Sequence, residues 1–395
     1  MAKYKMVPLG ENVEEMFIGP FGSSLKNENF VDFNEAYCMV YEQKHAIKKT
    51  MNLPTRYINK EKYDELKRFN IQGGDIIVSC RGTIGETYII PDDAPLGIMH
   101  PSIMKIRLKE GIYDKYYFNL LLNSRLNKHK VEANGSGIKM AISATELGKE
   151  LFPVPTMDEQ LKIADIIFKI SDIVKKRIKE LDTLDELVKA RFVEMFGDPV
   201  KNPKGWEVVT IGDIVTEVRY GTSKPAVEGG KYPYLRMNNL TADGHLDLND
   251  LKYIDIPDDE IEKCVVRKGD VLFNRTNSIE LVGKTVVFDL QEDMIIAGYI
   301  IRVRLNKRLL PEILSQYMNL EALKDILRSM AKGAVNQANI NAQELQSIKV
   351  YIPDMELQKQ FIEMKNQVDK SKVAVQKALD ETQMLFDSLM QKYFA

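Results

Sequence analysis

The side chains best suited to bind another molecule lie in polar loops at matching places in the two halves of this chain. Those of the first half are Ser23, Ser24, Lys26, Lys44, His45, Arg81, Thr83 and Lys139. Those of the second half are Thr222, Ser223, Lys224, Arg236, Asn238, Asn239, Arg275, Asn277, Lys332, Asn336 and Gln337. Arginine, lysine, asparagine and glutamine can bond the base edges of DNA, whereas serine, threonine and lysine in glycine-rich loops suit phosphate. The pattern indicates DNA contact, although two halves of common ancestry would also retain purely structural residues.

The residue types needed for catalysis do not occur in any recognisable arrangement. The four histidines lack the spacing of a metal site. The segment Gly283-Lys284-Thr285 ends like a phosphate-binding loop, but Ser278 stands where that motif requires glycine, so we predict a turn between strands. The cysteines have no CxxC or Cys/His partner and are predicted to be buried free thiols: Cys38, Cys80 and Cys264. We therefore predict no catalytic site, no metal and no cofactor in this chain.

Bulk composition is that of an ordinary globular protein. The 395 residues are 44% hydrophobic and 28% charged, which suggests two to three domains. The 55 basic and 57 acidic residues give a net charge of −2. Basic residues nevertheless cluster between Gln43 and Asn70, and local clustering is sufficient for DNA binding. With no apolar run of membrane-spanning length and no secretory leader, we expect a cytoplasmic protein that does not contact a membrane.

The elements that must position these loops are duplicated. Gly333 follows Gly135 by 198 positions, and the same offset produces further identities. They are Ile142/Ile340, Ala144/Ala342, Glu146/Glu344, Leu147/Leu345, Pro155/Pro353, Met157/Met355 and Gln160/Gln358. A repeat of this length indicates a duplicated domain. In each half, a Gly-Asp turn precedes a β-branched run, within Gly73–Gly85 and Lys268–Ser278. Such runs between Gly, Pro and Asp predict strands, so each half is expected to form a mixed α/β (α+β) head.

Each half ends in a long amphipathic segment without proline or glycine. Apolar residues recur at steps of three, four and seven, which predicts a coiled-coil seam. The first seam consists of Ile163, Ile167, Ile170, Val174, Leu181, Leu184 and Val188, continued by Met195. The second consists of Phe361, Val368, Val375, Leu379, Phe386 and Leu389, interrupted by Lys365 and Lys372. Helices of this length measure roughly 57 Å and bury both seams most simply by pairing antiparallel. Gly197-Asp198-Pro199 should end the first helix.

This order of head, helix, FGDP break, NPKGW restart, head and helix resembles the specificity subunit of type I restriction–modification systems. The most specific stretches are ISATELGKELFPVPTMDEQLKIA, INAQELQSIKVYIPDMELQKQFIE and MFGDPVKNPKGWEVVTIGDI. The resemblance implies target recognition domains at residues 1–155 and 198–353. It also implies spacer helices at residues 156–197 and 354–395, which form the family's conserved regions and give the chain a pseudo-twofold frame.

The resemblance further implies how such a chain works. Each head would read one half of a split, asymmetric sequence in double-stranded DNA, and the helices would set the spacing and dock two modification (methyltransferase) subunits. Restriction subunits would join this assembly. S-adenosylmethionine, and ATP with Mg²⁺ for restriction, would bind to those partners. We expect the half-sites to lie about one DNA turn apart, roughly 34–36 Å, so that both heads meet major grooves on one face.

Two alternatives remain open at the level of sequence. A coiled-coil adaptor whose two heads bind protein would have the same repeat and the same helices. A remnant of a fused restriction–methylation enzyme would belong to this system, but the missing methylase and nuclease motifs argue against it. A steep loss of DNA affinity with rising salt would distinguish DNA recognition from the adaptor.

Overall fold

The protein is described here from a computed structural model. The structure describes residues 4–136, 143–334 and 337–394, except for the side chains of 128–136, 332–334 and 337. It forms two compact units, the first comprising Met1–Lys176 with Leu379–Ala395 and the second comprising Arg177–Ala378. Each long helix therefore contributes to both units, so these units divide the chain differently from the four domains predicted from the sequence.

The first half of the chain contains ten strands and six α-helices among its described residues. In order they are β1 (Lys5–Pro8), α1 (Leu9–Asn12), β2 (Val13–Ile18), β3 (Cys38–Tyr41), α2 (Gln43–Lys48), β4 (Tyr57–Ile58), α3 (Lys60–Leu66), β5 (Asn70–Ile71), β6 (Ile76–Ser79), β7 (Thr87–Ile89), β8 (Gly97–Met99), β9 (Ile103–Leu108), α4 (Lys115–Ser136), α5 (Ala144–Leu147), β10 (Leu151–Val154) and α6 (Met157–Phe196). Short 3₁₀ helices lie at Gly22–Ser24, Asn27–Asn29, Phe33–Glu35 and Lys67–Phe69.

The second half continues the same order of elements. They are β11 (Glu207–Thr210), α7 (Ile211–Ile214), β12 (Val215–Tyr220), β13 (Tyr232–Leu235), β14 (Lys252–Ile254), α8 (Asp258–Cys264), β15 (Val265–Val266), β16 (Val271–Asn274), β17 (Thr276–Asn277), β18 (Thr285–Val287), β19 (Met294–Ile296), β20 (Ile300–Leu305), α9 (Pro311–Asn319), α10 (Glu321–Met330), β21 (Lys332–Ala334), β22 (Gln337–Asn339), α11 (Ala342–Gln346), β23 (Lys349–Ile352) and α12 (Met355–Phe394). A 3₁₀ helix spans Met237–Asn239 and follows β13 directly.

The two heads share one sheet topology. In the first unit an antiparallel sheet has the order β2-β9-β6-β7, and a mixed sheet has the order β4-β3-β8-β5 with β3 and β8 parallel. The corresponding sheets of the second unit are β12-β20-β16-β18 and β14-β13-β19-β15, with β13 and β19 parallel. Strand β1 pairs with β10, and β11 pairs with β23. The second unit also contains a three-stranded sheet in the order β17-β22-β21. The duplication and the mixed α/β class predicted from the sequence are confirmed.

The fully apolar runs after the Gly-Asp turns are central strands covered on both faces. Ile77 of β6 packs in a cluster with residues of the second sheet, while its neighbours Ile76 and Val78 pack with helices α4 and α6. In β16 Leu272 likewise packs in one cluster, while its neighbours Val271 and Phe273 pack in another. A strand buried on both faces needs apolar residues at every position rather than at every second one. The runs therefore identify the middle of each head.

The long helices α6 and α12, each of 40 residues, pair antiparallel as predicted. In the second unit Phe361 near the start of α12 packs on Phe192 and Phe196 at the end of α6, with ring centroids 5.2 and 5.6 Å apart. Farther along, Arg177 donates to the carbonyl of Ala378. In the first unit the seam residues Ile163 and Ile167 share a cluster with Phe386 and Leu389.

All the predicted seam residues are buried or half-buried. At the end of α6 the buried position is Phe192 rather than the half-buried Met195, because the ring of Phe192 packs edge-to-face against that of Phe361. Of the two lysines that interrupt the second seam, Lys372 forms an ion pair with Asp185 of α6 at 2.5 Å. Lys365 pairs with Asp369 of its own helix, one turn farther on. Both lysines that interrupt the apolar seam of α12 therefore form ion pairs.

The break after α6 also lies where the sequence predicts it. Gly197 has a φ of 89°, a left-handed conformation that glycine adopts without strain. The carboxylate of Asp198 accepts hydrogen bonds from the backbone N–H groups of Val200 and Lys201, both at 2.9 Å. The indole N–H of Trp206 donates to the carbonyl of Phe196 at 2.8 Å, which satisfies one carbonyl of the last helical turn.

Candidate nucleic-acid interface

A cleft of about 590 Å³ in the second unit collects most of the predicted residues of that head. It is lined by three loops, which follow β12, β13 and β16, and by the connection between β19 and β20. The predicted residues along its wall are Thr222, Ser223, Lys224, Arg236, Asn238 and Arg275. These residues span more than fifty sequence positions, and only the pairing of the strands brings them to one edge of the head.

The first wall of the cleft is fixed by a close backbone approach. A Cβ on Gly221 would lie 2.2 Å from the carbonyl oxygen of Ile296, so the chain can pass there only with glycine. Both backbone groups of Thr222 form hydrogen bonds. Its N–H donates to the Ile296 carbonyl at 2.9 Å, and its carbonyl accepts from the N–H of Gly298 at 2.8 Å. The hydroxyl of Tyr234 lies within 3.2 Å of the Thr222 carbonyl and 3.0 Å of the Lys224 carbonyl. These hydrogen bonds fix the position of the loop Thr222–Lys224.

The two arginines of the cleft are each anchored on one side only. Arg236 donates to the Asp250 carboxylate at 2.7 Å, and its Nε is buried without a hydrogen-bond partner in the described structure. The Arg275 guanidinium lies 5.0 Å above the ring of Tyr220, and its Nε likewise has no partner there. Stacking on a ring orients a guanidinium without consuming its N–H donors. Because both Nε atoms are buried, the terminal nitrogens of these guanidinium groups are the ones that can donate to an acceptor in the cleft.

Aromatic side chains in the cleft were missed from the sequence. Tyr234 and Tyr299 line it, and Tyr299 is half exposed. Tyr220 supports Arg275 from the side. The available signal was Tyr220 directly before Gly221, because a glycine at a close approach places its neighbour beside the partner strand.

Asn239 and His45 occupy equivalent positions and are both buried caps. The Asn239 amide oxygen accepts from the backbone N–H of Arg236 at 2.8 Å, and His45 Nδ1 accepts from the backbone N–H of Glu42 at 2.9 Å. His45 is fully buried, and burial lowers the pKa of its imidazole, which favours the neutral form. Each of these residues fixes the segment after β3 or β13 rather than reaching the surface. Their sequence neighbours Lys44 and Asn238 point outward at equivalent positions.

In the first unit the remaining predicted residues are mostly exposed. Ser23, Lys26, Arg81 and Thr83 are exposed, and Ser24 is half-buried. Lys44 pairs with Glu42 at 2.8 Å. Arg275 directly follows β16, whereas Arg81 lies two residues beyond the end of β6, so the two arginines are one position apart in register. Basic and hydroxyl side chains therefore lie at the edge of this head as well.

The other predicted residues of the second unit divide into internal and undescribed positions. Asn277 is half-buried, and its side chain donates to Asn274 at 2.8 Å and accepts from the backbone of Ser278 at 2.9 Å. Lys332 begins β21 and Gln337 begins β22, so their backbones belong to the three-stranded sheet. Lys139 and Asn336 lie outside the described residues.

In the part of the chain that the structure describes, no three His, Cys, Asp or Glu side chains are grouped so as to hold a metal ion. Over the same residues, no helix combines the length and the apolar character needed to cross a membrane. The three cysteines are buried thiols, and burial raises the pKa of Cys38 to about 11 and that of Cys80 to about 12.

Relatives with known names fall in one group. A Methanocaldococcus jannaschii protein, named as the specificity subunit of the type I restriction enzyme MjaX, is 30% identical over 196 residues, which is 49% of this chain and 46% of that protein. The EcoKI specificity subunit of Escherichia coli is 25% identical over 292 residues, 69% of this chain and 63% of its own length. The matched segments thus span about half to two thirds of these relatives.

Solved structures show the same fold. A chain from a study of complex assembly and conformational transition in a type I R-M system covers 100% of this chain and 98% of its own length, with a TM-score of 0.61 and 18% identity. The S subunit of the type I restriction–modification system of M. genitalium covers 100% and 97%, with a TM-score of 0.54 and 14% identity.

The family assignment agrees with the repeat. The model of the type I restriction modification DNA specificity domain matches this chain twice, at residues 17–183 and 203–382. Each match contains most of one head and the larger part of the helix that follows it. The two matches together include most of the 395 residues. The chain therefore belongs to the type I restriction modification DNA specificity domain family.

Proposed function

We propose that this chain is the sequence-specific DNA-binding subunit of a type I restriction–modification complex and that it has no catalytic activity of its own. The cleft of the second unit carries this proposal, because it aligns Arg236, Asn238 and Arg275 at one edge of the head. Arginine can donate two hydrogen bonds to guanine, and asparagine can pair with adenine. Thr222 and Lys224 beside them suit backbone phosphates, which position a protein without specifying sequence.

The two heads are proposed to read different half-sites. Their framework is the same, but the residues at its edge diverge. Arg236 of the second head corresponds to Glu42 of the first, and Asn238 corresponds to Lys44. A carboxylate and a guanidinium have opposite hydrogen-bonding roles toward bases, since one only accepts and the other only donates. A chain with two such heads would recognise an asymmetric, bipartite target.

The long helices are proposed to set the spacing of the half-sites and to dock two modification subunits, which restriction subunits would join. Apolar side chains outside the seam are exposed on α6, among them Leu161, Phe168 and Ile173. Exposed apolar residues on a helix are suited to pack against a partner. S-adenosylmethionine would bind to the modification subunits, and ATP with Mg²⁺ to the restriction subunits. The assembly would act on DNA in the cytoplasm.

The direct test is DNA binding by the full chain assembled with its modification subunits, measured across salt concentrations. Neutralised phosphates release counterions, so the logarithm of the association constant should fall linearly with the logarithm of salt concentration. A protected bipartite footprint should appear on the methylated sequence. A flat salt response without a footprint would overturn the proposal and favour an adaptor whose heads bind protein.

The proposal that the helices set the spacing of the half-sites can be tested by deleting matching segments from both helices. Arg177 contacts Ala378, so the segments 177–183 and 372–378 oppose each other, and deleting both preserves the seam. Seven helical residues correspond to about 10 Å, or about three base pairs at 3.4 Å each. The required gap between half-sites should change by about that amount. If methylation keeps the original gap, the helices do not set it.

A head exchange tests the assignment of one half-site to each head. Replacing residues 198–353 by the corresponding head of a relative with another target should change one half of the methylated sequence. The other half should remain as it was, because the first head is untouched. A change in both halves would contradict independent reading.

A further inference from the structure

Lys284 is a buried lysine that bonds to the turn carrying the cleft residues. Its side chain is only 7% exposed, and its Nζ donates to the carbonyls of Met237 at 2.8 Å and Leu240 at 2.5 Å. Met237 begins the 3₁₀ turn that presents Asn238, and Leu240 directly follows this turn. The ammonium group thus fixes this turn without itself lining the cleft.

The backbone of Lys284 is hydrogen-bonded to the end of β16, the strand that precedes Arg275. Asn274 donates to the Lys284 carbonyl at 2.8 Å, and Gly283 donates to the Asn274 carbonyl at 2.9 Å. Arg275 is the next residue after Asn274. One residue therefore joins two separate segments of the cleft, because its backbone holds the end of β16 and its side chain holds the turn after β13. The relative placement of Asn238 and Arg275 depends on this link.

Burying an ammonium group costs free energy, because the charge loses its hydration. Burial lowers the pKa of Lys284, since a charge loses its hydration in the interior. A methionine would fill a similar volume without that cost, but it cannot donate to two carbonyls. The charge is therefore best explained by the segment that it holds.

The first unit has a residue of opposite charge at the equivalent position. Glu86 precedes β7 as Lys284 precedes β18, and Ser79 donates to the Glu86 carbonyl at 2.8 Å, the same pairing as in the second unit. The Glu86 carboxylate lies 3.9 Å from the ammonium of Lys49. Lys49 is the residue that caps the C-terminal end of α2, and α2 carries Lys44. In both heads the side chain at this position contacts the segment that follows β3 or β13.

We propose that Glu86 and Lys284 are positioning residues for base recognition, each setting the segment that carries Lys44 or Asn238 against the loop that carries Arg81 or Arg275. The proposal rests on the proposed function, because it assigns a role within DNA reading. It implies that base preference depends on residues that never touch DNA, and that each affects only its own half-site.

The test is selection of DNA targets from a randomised library by the full complex containing Lys284→Met. Discrimination at the second half-site should fall about tenfold, within the range of one bidentate base contact, while preference at the first half-site is unchanged. Lys284→Arg should restore part of the lost discrimination, since a guanidinium can still donate to the carbonyls. Lys263→Met, which removes an exposed positive charge from the same unit, should behave like the wild type.

The outcomes separate this proposal from the proposed function. If the wild-type complex selects no sequence, the proposed function fails. If the wild type selects a bipartite sequence and folded Lys284→Met selects the same one with equal discrimination, only the positioning role fails. Should Lys284→Met not fold, Glu86→Gln tests the same role in the other head. It should relax the first half-site alone, and an unchanged first half-site would overturn the proposal.

Discussion

Gln160 and Gln358 make the same three hydrogen bonds at equivalent places in the two units. Each side-chain amide donates to the carbonyl five residues earlier, that of Pro155 at 3.0 Å and that of Pro353 at 2.8 Å. Each also donates to a head loop, and each carbonyl oxygen accepts a backbone N–H from that loop. Both glutamines are fully buried. The identity at the repeat junction is thus explained by how the helix is attached to its head.

Removing one of these amides should destabilise the unit that contains it. Gln358→Leu would leave the N–H of Leu310 and the carbonyls of Arg308 and Pro353 without these partners. Unsatisfied buried groups cost about 1–3 kcal/mol, so the free energy of unfolding should fall by about that amount in urea titrations. Gln360→Leu on the exposed face of the same helix should change it by less than about 0.5 kcal/mol. Equal effects of the two variants would refute this account.

The aromatic cluster at the helix pair should be a major source of stability in the second unit. Phe361 is fully buried and contacts Phe192 and Phe196. Phe361→Ala should lower the free energy of unfolding by about 3–5 kcal/mol, because it loses apolar burial and leaves a cavity. Val373 on the same helix is 71% exposed, so Val373→Ala should be nearly neutral in the same measurement. A small effect of Phe361→Ala would mean that the helices do not pack through this seam.

The stability of the second unit should depend on pH through His245. Its ring lies 3.3 Å from the carboxylate of Asp243 and 3.9 Å from that of Asp369, and these partners raise its pKa to about 9, although the neighbouring Lys372 opposes the shift. A raised folded-state pKa contributes stability that is complete below the unfolded value near 6.5 and is lost as pH rises through 9. The stability difference between wild type and His245→Gln should therefore shrink between pH 6.5 and 9. Urea titrations of both proteins at each pH would measure it, and a constant difference would exclude the ion pairs as its source.

Truncating a cleft arginine should alter one half-site only. Arg275→Ala should reduce discrimination at a single position of the second half-site by about 1–3 kcal/mol in binding measurements with the assembled complex. The matched control is Arg308→Ala, which removes an arginine that pairs with Glu207 at 2.6 Å outside the cleft. If the two variants lose discrimination equally, the cleft is not the reading site.

Adding a methyl group at Gly221 should displace the loop Thr222–Lys224, which lines the cleft. Its Cβ would meet the backbone oxygens of Ile296 and Ala297 at 2.2 and 2.3 Å, neither of which can rotate away. Gly221→Ala should lower the melting temperature and weaken DNA binding, with a cost of about 1–3 kcal/mol typical of overpacking. Gly22→Ala has open space around the new Cβ and should melt like the wild type. A Gly221→Ala protein as stable as wild type would show that the loop can move.

The sequence alone determined the duplication, the central strands and the helix seam. These features depend on local periodicity, because burial on both faces of a strand or along one face of a helix must be encoded in the residues of that segment. Ile76–Ser79, Val271–Asn274 and the seam of α12 are therefore where the apolar pattern places them. The family resemblance rests on the junctions, where the repeated glutamines Gln160 and Gln358 bond to nearby backbone.

Only the tertiary structure decided which polar residues face the cleft. Asn238 and Asn239 are neighbours of the same type, yet one lines the cleft and the other is a buried cap. His45 is predicted from the sequence to contact DNA, but it is buried and caps α2. Lys284 stands where a phosphate-binding loop has its lysine, but it donates to the backbone of the turn after β13. A polar side chain is exposed or buried according to the segments packed against it, and here those segments are distant in sequence. Local patterns contain no record of that packing.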